Sequence, residues 1–366
     1  MQGGVEHALG RDFSVATGSG CYAERLVTDP EVSPSTSAPK PETCGCASPP
    51  RRLCDVCEEQ GKVLLACSAR CLHEHQAAAH PASAGGGSAE RARTFARDLN
   101  RRYPDTWARY AGHRARLTRL VAELPRGGEL CVFGAGNCND LDLEAMSAWF
   151  AQIHLVDLDG EALERARDRQ ASSTRSKLVL HGNVDCSGLL EHLDDWGDQF
   201  PSRAELGQSA VQAAQGIVRG LGQGFSAVVS ACVLSQLAVP FQRAWVTSRS
   251  NWGDLLSAIS AVHLATLAGS TSSGGNGLLL IDSASSKECP ELARQAGKSD
   301  SELQDFVDSA LESGTLALRP DPYQVLMQMA SPGLRTMVAE PSLNPPWIWN
   351  LGADAQLVYS LSFGHP

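Results

Sequence analysis

Several kinds of segment are missing from this chain of 366 residues. No apolar run approaches the length of about 18 residues that a membrane-spanning helix needs. Residues 1–28 contain charges and glycines but no apolar stretch, so no secretory signal is visible and we expect a cytoplasmic protein. No Ser-His-Asp order, catalytic zinc motif or P-loop is present, which leaves hydrolase and kinase functions without support.

Basic charge is also scarce. The chain has 31 Lys and Arg against 41 Asp and Glu, a formal net charge of −10 at pH 7. This balance argues against a general nucleic-acid binder. The length and the hydrophobic content of 43% suit a soluble protein with one large core and a small additional module.

The first nucleotide-binding signal is a glycine-containing turn. An apolar strand pattern at 129–133 runs into Gly134, Ala135 and Gly136, and a second apolar run ends on Asp157. Glycines in such a turn let the backbone approach a ligand closely, and an acid about 20 residues further on can accept both hydroxyls of a ribose. The third glycine position of the usual pattern holds a cysteine here, so the turn alone is a weak signal.

Further strand and helix patterns alternate along the chain. Apolar strand patterns follow at 178–185, 225–234 and 277–282. Helical patterns separate the strands, at 140–150, 160–171, 205–219 and 252–268. This alternation predicts a parallel sheet with helices on both faces. Near the C-terminus, two apolar segments at 347–350 and 356–361 bracket Gly352 and Asp354 and predict an antiparallel hairpin.

Parallel strands closed by a late hairpin resemble class I S-adenosylmethionine (SAM)-dependent methyltransferases, over about residues 127–366. The resemblance implies an α/β fold with a Rossmann-like, mostly parallel seven-stranded sheet and a C-terminal antiparallel hairpin. It assigns the methionine part of SAM to the glycine turn, the ribose to Asp157 and the adenine side to Asp185. The residues that it implies for the cofactor are Gly134, Ala135, Gly136, Asn137, Asp157, Leu158, Asp185 and Ser230.

Two positions depart from the family pattern. The acid that usually stands two residues before the first glycine is Val132, and Cys138 replaces the last glycine. The candidates for the missing polar contacts are Asn137, Asn139, Asp140 and Asp142. Two alternatives and one interpretation also stand beside the resemblance. Asp157 can cap the following helix, Asn183 can replace Asp185 beside adenine, and buried Cys131 and Cys232 are interpreted as small hydrophobic residues.

The methyl acceptor is not specified by the sequence. After the fourth strand, base-directed members of the family carry an Asn/Asp-Pro-Pro-aromatic motif, and this chain has Ser-Ala-Cys-Val-Leu-Ser-Gln-Leu instead. We therefore expect a small molecule or a peptide rather than a nucleic-acid base. Candidate acceptor-side residues, chosen by position, are Ser235, Gln236, Arg243, Trp245, Trp347 and Trp349. The alternatives are an NAD-dependent oxidoreductase and a non-catalytic zinc-finger interaction protein with a degenerate SAM domain.

A second signal is a cysteine cluster, since seven of the 12 cysteines precede residue 72. With two histidines the cluster offers eight ligands with the spacing of two closed tetrahedral zinc sites, and such sites are structural. The predicted ligands are Cys44, Cys46, Cys54, Cys57, Cys67, Cys71, His75 and His80. The spacing resembles HIT-type and MYND-type zinc fingers, which mediate protein contacts. The resemblance implies cross-bracing, in which Cys44, Cys46, Cys67 and Cys71 form one site and the remaining four the other.

Composition divides the rest of the chain. We predict a largely disordered segment at 1–43, the zinc module at 44–80, a flexible linker at 81–89, an arginine-rich helical lid at 90–126, and the SAM domain at 127–366. Ten arginines lie between residues 91 and 126. We expect their basic face to pack on the acidic body of the protein over the SAM site, with RNA or an acidic peptide as alternatives.

Overall fold

A computed structural model describes most of the chain beyond residue 86. The described residues are 42–43, 52–53, 64–66, 71, 75, 87–102, 105–196, 200–222, 224–244, 252–352 and 354–366. Of the eight predicted zinc ligands, only Cys71 and His75 belong to this set, and both have helical backbone conformation. The other six, with nearly all of the predicted linker and N-terminal segment, lie outside it. Within the described residues, no group of three or more His, Cys, Asp or Glu side chains is placed to hold a metal ion.

The strands form two sheets. A small sheet contains β1 (Glu42–Thr43), β2 (Arg52–Leu53) and β3 (Leu64–Ala66), in the order β1-β3-β2. The main sheet contains β4 (Glu129–Phe133), β5 (Gln152–Val156), β6 (Leu178–His181), β7 (Phe225–Ser230), β8 (Thr271–Ser285), β9 (Ala339–Asn350) and β10 (Ala355–Gly364). Its order is β6-β5-β4-β7-β8-β10-β9. The first five strands in this order are mutually parallel, and β10 is antiparallel to both of its neighbours. The predicted α/β sheet with a C-terminal antiparallel hairpin is therefore confirmed.

Helices cover both faces of this sheet. They are α1 (Ser88–Arg102), α2 (Ala111–Ala122), α3 (Leu143–Trp149), α4 (Gly160–Asp168), α5 (Ser172–Arg175), α6 (His192–Trp196), α7 (Arg203–Leu221), α8 (Val239–Ala244), α9 (Trp252–Ser270), α10 (Asp300–Glu312) and α11 (Pro322–Met329). A 3₁₀-helix spans Pro290–Gln295. No helix among the described residues has the length and apolar content to cross a membrane.

The central parallel strands β4, β5 and β7 are buried on both faces. In β4, Cys131 and Phe133 belong to one hydrophobic cluster, and Leu130 and Val132 belong to the cluster on the opposite face. A strand that packs helices on both sides reads as a continuous apolar run, because neither alternate set of side chains meets water. This is why the apolar runs of the sequence locate these strands well.

The helix starts are built from local side-chain contacts. The carboxylate of Asp142 accepts a hydrogen bond from the N–H of Ala145 at 3.0 Å and caps α3. Asp159 caps α4 in the same way, through the N–H of Ala162 at 3.2 Å. These contacts satisfy backbone donors that have no partner within the helix. The cap of α4 is thus Asp159, and the capping alternative for Asp157 is wrong.

The outer strand of the C-terminal hairpin contains three prolines, Pro341, Pro345 and Pro346. Proline has no N–H and is tolerated on an edge strand, where that side makes no ladder hydrogen bond. In the main sheet, β9 pairs only with β10, and the register shifts between Val358 and Ser360, opposite the Pro345–Pro346 pair. The strand order also reverses between β4 and β7, which opens a crevice at the carboxyl ends of the parallel strands.

Candidate functional site

A cavity of about 340 Å³ lies in this crevice. Its floor consists of the segments that directly follow β4, β5, β6 and β7. The lining residues of these four segments are Gly134 to Asp140, Asp157 and Leu158, Val184 to Cys186, and Ala231 to Val233. The volume is within the range of small-molecule sites, which spans about 300–1,000 Å³. The cavity is therefore the candidate ligand site.

The glycine turn after β4 has a backbone that glycine alone adopts easily. Gly134 has φ of +73° and Gly136 has φ of +46°. A Cβ atom on Gly134 would lie 2.5 Å from the Cβ of Val233, so the backbone of the turn packs directly against the side chain of Val233. Cys138 is also left-handed, with φ of 52°, and is buried, so a side chain is accommodated at the position of the third glycine.

Asp157 follows β5 and contacts this turn directly. Its Oδ2 accepts a hydrogen bond from the N–H of Gly136 at 2.8 Å, and its Oδ1 accepts one from the N–H of Asp159 at 2.9 Å. Burial raises the pKa of Asp157 to about 6, against the lowering effect of these hydrogen bonds. Each carboxylate oxygen has two lone pairs, so both oxygens keep capacity for a donor from a ligand.

Asp185 also lines the cavity but is more heavily used by the protein. Its Oδ1 accepts hydrogen bonds from the N–H of Ser187 at 2.8 Å and from the Ser187 hydroxyl at 2.6 Å. Its Oδ2 accepts one from the N–H of Leu190 at 2.8 Å. Burial raises the pKa of Asp185. Asn183 is exposed and does not line the cavity, so the geometry favours Asp185 of these two candidates.

Seven of the eight residues predicted for a cofactor line this one cavity: Gly134, Ala135, Gly136, Asn137, Asp157, Leu158 and Asp185. Ser230 does not. It is fully buried at the end of β7, where its Oγ lies 2.8 Å from the Nε2 of His263 in α9. Burial lowers the pKa of His263 to about 4, so this pair is a neutral hydrogen bond of the core.

The opposite wall of the cavity is helix α1, which contributes Phe95, Ala96, Leu99 and Asn100. The amide Nδ2 of Asn137 donates a hydrogen bond to the backbone carbonyl of Asn100 at 2.8 Å. Arg93 pairs with Glu191 at 3.0 Å and Arg101 pairs with Glu161 at 3.0 Å. Helix α1 is thus joined to the sheet domain on both sides of the cavity. Nothing in the local sequence pattern indicates Asn100 as a site residue.

A third wall is aromatic. Tyr110 and Trp349 both line the cavity, with ring centroids 4.7 Å apart at 86°. His113 stacks on Trp349 at 4.1 Å, and its Nδ1 accepts a hydrogen bond from the indole N–H of Trp347 at 3.2 Å. Burial lowers the pKa of His113 to about 3.

Some of the predicted acceptor-side residues line the cavity and others do not. Gln236 and Trp349 line the cavity, whereas Trp347 belongs to a hydrophobic core cluster. Ser235 donates a hydrogen bond to Asp282 at 2.5 Å, beside the cavity. The side chain of Arg243 and all of Trp245 lie outside the described part of the chain. Cys131 and Cys232 are buried and burial raises the pKa of both thiols, so their interpretation as small hydrophobic residues is confirmed.

The charge of the cavity has one sign. Three carboxylates line it, those of Asp140, Asp157 and Asp185, and no lysine, arginine or histidine among the described residues does. Burial raises the pKa of Asp140 to about 7, and the nearby charge of Arg114 acts in the opposite direction. An acid-lined cavity of low polarity favours a cationic ligand and disfavours an anionic one.

The chain has weak structural likeness to several proteins. It is similar to a putative methyltransferase from Bacillus halodurans C-125, with 10% identity and a TM-score of 0.34 over 70% of this chain and 100% of that one. It is similar to an rRNA methylase from Streptococcus thermophilus, with 10% identity and a TM-score of 0.32 over 68% and 95% of the two chains. A precorrin-8w decarboxylase from Methanobacterium thermoautotrophicum gives 9% and 0.31 over 69% and 88%.

No protein-family model matches the chain, and no curated protein matches it. Likenesses at these TM-scores carry no argument about function. The fold class therefore rests on the strand order and directions of the main sheet itself.

Proposed function

We propose that this protein is a SAM-dependent methyltransferase. SAM has a sulfonium, an ammonium and a carboxylate group, so its net charge is positive, and it has a ribose with two free hydroxyls. The cavity matches these properties, because it combines an acid-lined wall, a glycine turn with a close backbone, and a buried carboxylate at the end of the second strand. The charge of the cavity is the observation that carries the proposal.

The charge of the cavity also favours SAM over NAD as the ligand. A dinucleotide has an anionic pyrophosphate, which normally sits at the N-terminus of the helix after the glycine turn. Here that position in α3 is occupied by the carboxylate of Asp142, the cap of the helix. Asp140 adds a second carboxylate to the neighbouring wall. Within the cavity, a pyrophosphate would meet the carboxyl groups of Asp140, Asp157 and Asp185 and no base among the described lining residues, which disfavours the oxidoreductase alternative.

The residues of the cavity have distinct parts in this proposal. Asp157 accepts the ribose hydroxyls, Asp185 and Leu158 flank the adenine, and the glycine turn binds the methionine portion through its backbone. SAM, when bound, supplies a methyl group that is already activated by the sulfonium. Alignment and exclusion of water then dominate catalysis. Helix α1 serves as the lid that excludes water, and no residue is assigned as a general base.

Calorimetry with SAM, with its product S-adenosylhomocysteine and with NAD tests this function directly. Asp157→Asn should weaken the binding of SAM and of S-adenosylhomocysteine at least tenfold, because charge-assisted hydrogen bonds contribute roughly 1.5–3 kcal/mol each. The matched control is Asp168→Asn, which removes an exposed carboxylate of α4 that pairs only locally with Arg167. Tight binding of NAD without binding of SAM would overturn the proposal, and unchanged affinity in Asp157→Asn would remove Asp157 from the site.

The acceptor is proposed to be a small molecule or a peptide. A methyl-transfer screen should therefore include peptides, small amines and phenols, with product detected by mass spectrometry. SAM binding without transfer to any acceptor would favour the non-catalytic alternative, in which a degenerate SAM domain accompanies an interaction module.

The cysteine-rich segment is proposed, on its spacing alone, to bind two structural zinc ions and to recruit a protein partner or substrate. Closed four-ligand sites leave no metal position for a substrate, so the module should not take part in methyl transfer. Elemental analysis of the full chain should find two zinc ions per molecule, and Cys54→Ser should lower that number. One ion or fewer in the unmodified chain would contradict the two-site arrangement.

A further inference from the structure

The acid that the resemblance implies in β4, two residues before Gly134, is absent from this chain. The residue at that position is Val132, which is fully buried in a hydrophobic cluster and cannot reach a ligand. The ammonium of an amino acid therefore needs its carboxylate partner from another part of the cavity. Four polar residues that follow the glycine turn are the local candidates.

Two of these four are already committed to the protein. The carboxylate of Asp142 caps α3 through the N–H of Ala145 at 3.0 Å, and Asp142 does not line the cavity. The amide of Asn137 donates to the carbonyl of Asn100 at 2.8 Å and accepts from Arg165 at 3.4 Å. Asp142 is therefore outside the site, and Asn137 is a neutral amide that provides no charge for an ammonium.

Asp140 differs from both, because it is the acid among the four that lines the cavity. The loop that holds it is fixed from behind by Arg114, whose Nη1 donates to the carbonyl of Asn139 at 2.7 Å and to the carbonyl of Trp107 at 2.8 Å. The guanidinium of Arg114 also lies 3.4 Å from the centre of the Trp107 ring. A carboxylate on a fixed loop is a better partner for an ammonium than the buried amide of Asn139.

We propose that Asp140 binds the ammonium of the amino-acid end of SAM and replaces the missing acid at Val132. The assignment rests on the proposed function of the cavity. It makes Asp140 and Asp157 the carboxylates for opposite ends of one ligand, the amino acid and the ribose. Asp140 is a binding residue in this assignment and takes no part in the transfer of the methyl group.

Two ligands distinguish binding at the amino-acid end of the site from binding at the ribose end. S-adenosylhomocysteine contains both the nucleoside and the amino acid, whereas 5′-methylthioadenosine keeps the nucleoside and the sulfur but lacks the amino acid. Calorimetry with each ligand on the full chain measures their affinity ratio. Asp140→Asn should weaken S-adenosylhomocysteine by about tenfold or more, the size of one charge-assisted hydrogen bond, and leave 5′-methylthioadenosine unchanged. Asp157→Asn should weaken both.

Two further variants keep the test decisive. Asp140→Glu retains the charge and should recover part of the lost affinity for S-adenosylhomocysteine. Asp142→Asn weakens the cap of α3 and should lower the melting temperature while leaving the affinity ratio of the two ligands intact. Equal loss of both ligands in Asp140→Asn, or loss of neither, would overturn the assignment. Failure of the unmodified protein to bind either ligand would overturn the proposed function and the assignment together.

Discussion

Two arginine-rich helices precede the sheet, and they are attached to it by different physical means. The arginines of α1 contact charged or polar side chains around the cavity, including Glu191, Asn183 and Glu161. The helix α2 is inserted in the core through His113, Leu117 and Val121, all of which are buried. Similar composition thus produces one helix whose arginines make charge pairs around the cavity, with Ala92 packed in the core, and one helix held mainly by buried side chains.

The difference teaches what arginine content does and does not predict. Exposed ion pairs contribute little to stability and are screened by salt, whereas buried apolar contacts contribute most of it. On α2 itself, Arg114 donates to backbone carbonyls, and those are fixed acceptors rather than mobile charges. We therefore expect α2 to govern folding and α1 to govern access to the cavity.

The larger effect should come from acid acting on α2. Burial lowers the pKa of His113 to about 3, so the folded protein holds this ring neutral. Its unfolded pKa is about 6.5, so the unfolded chain binds a proton that the folded protein refuses as pH falls below that value. The contribution of the neutral His113 ring to the free energy of unfolding is fully present above pH 6.5. Below that pH it should fall by up to about 1.4 kcal/mol per pH unit.

Urea unfolding at pH 7, 6 and 5 measures this slope. His113→Gln should flatten the pH dependence, although it lowers stability at pH 7 because packing on Trp349 is lost. His192→Gln is the matched control, since His192 in α6 is only partly buried and makes its ring contact with Trp196 on the same helix. Equal slopes for the unmodified protein and His113→Gln would show that α2 is not held by a neutral buried ring.

The smaller effect should come from breaking a charge pair of α1. Arg101 and Glu161 are 3.0 Å apart with more than half of each side chain exposed, at 53% and 61%. Arg101→Gln should leave the urea midpoint unchanged and accelerate dissociation of S-adenosylhomocysteine roughly twofold. High salt should bring the unmodified protein to the rate of the variant, because the pair is screened.

Stopped-flow dissociation at low and high salt measures this difference. Arg167→Gln is the control, because Arg167 has 36% of its side chain exposed but pairs with Asp168 in its own helix. A large loss of stability in Arg101→Gln, or equal acceleration by both variants, would remove the distinction between the two helices.

Local patterns predicted most of the sheet because its strands are locally marked. Each of the five parallel strands contains a short apolar segment, and the hairpin segments flank a glycine and an acid. The helices α10 and α11 were not predicted, although both have start signals in the sequence. Ser299 and Glu302 form a capping box before α10, and Asp321 precedes a proline at the first position of α11.

The candidate site was predictable to the extent that it consists of strand ends. Parallel strands bring their carboxyl ends to one edge, so acids and glycines at those ends must meet. The walls were predicted only in part. The helical lid and Trp349 were named from the sequence, but Asn100 is an ordinary helix residue locally, and Trp347 and His113 are separated by 234 positions in the chain. Ser230 was predicted as a cofactor residue but does not line the cavity, because its side chain faces the helix α9.

The prolines of β9 have a consequence for the protein as a whole. An outer strand normally offers a row of free N–H and C=O groups that another sheet can extend. Pro341, Pro345 and Pro346 of β9 have no N–H to offer to another sheet, and the other outer strand of the main sheet, β6, has only four residues. We therefore expect that concentrated solutions of the folded protein resist growth of shared sheets between molecules, so that any aggregation on heating begins from unfolded chains.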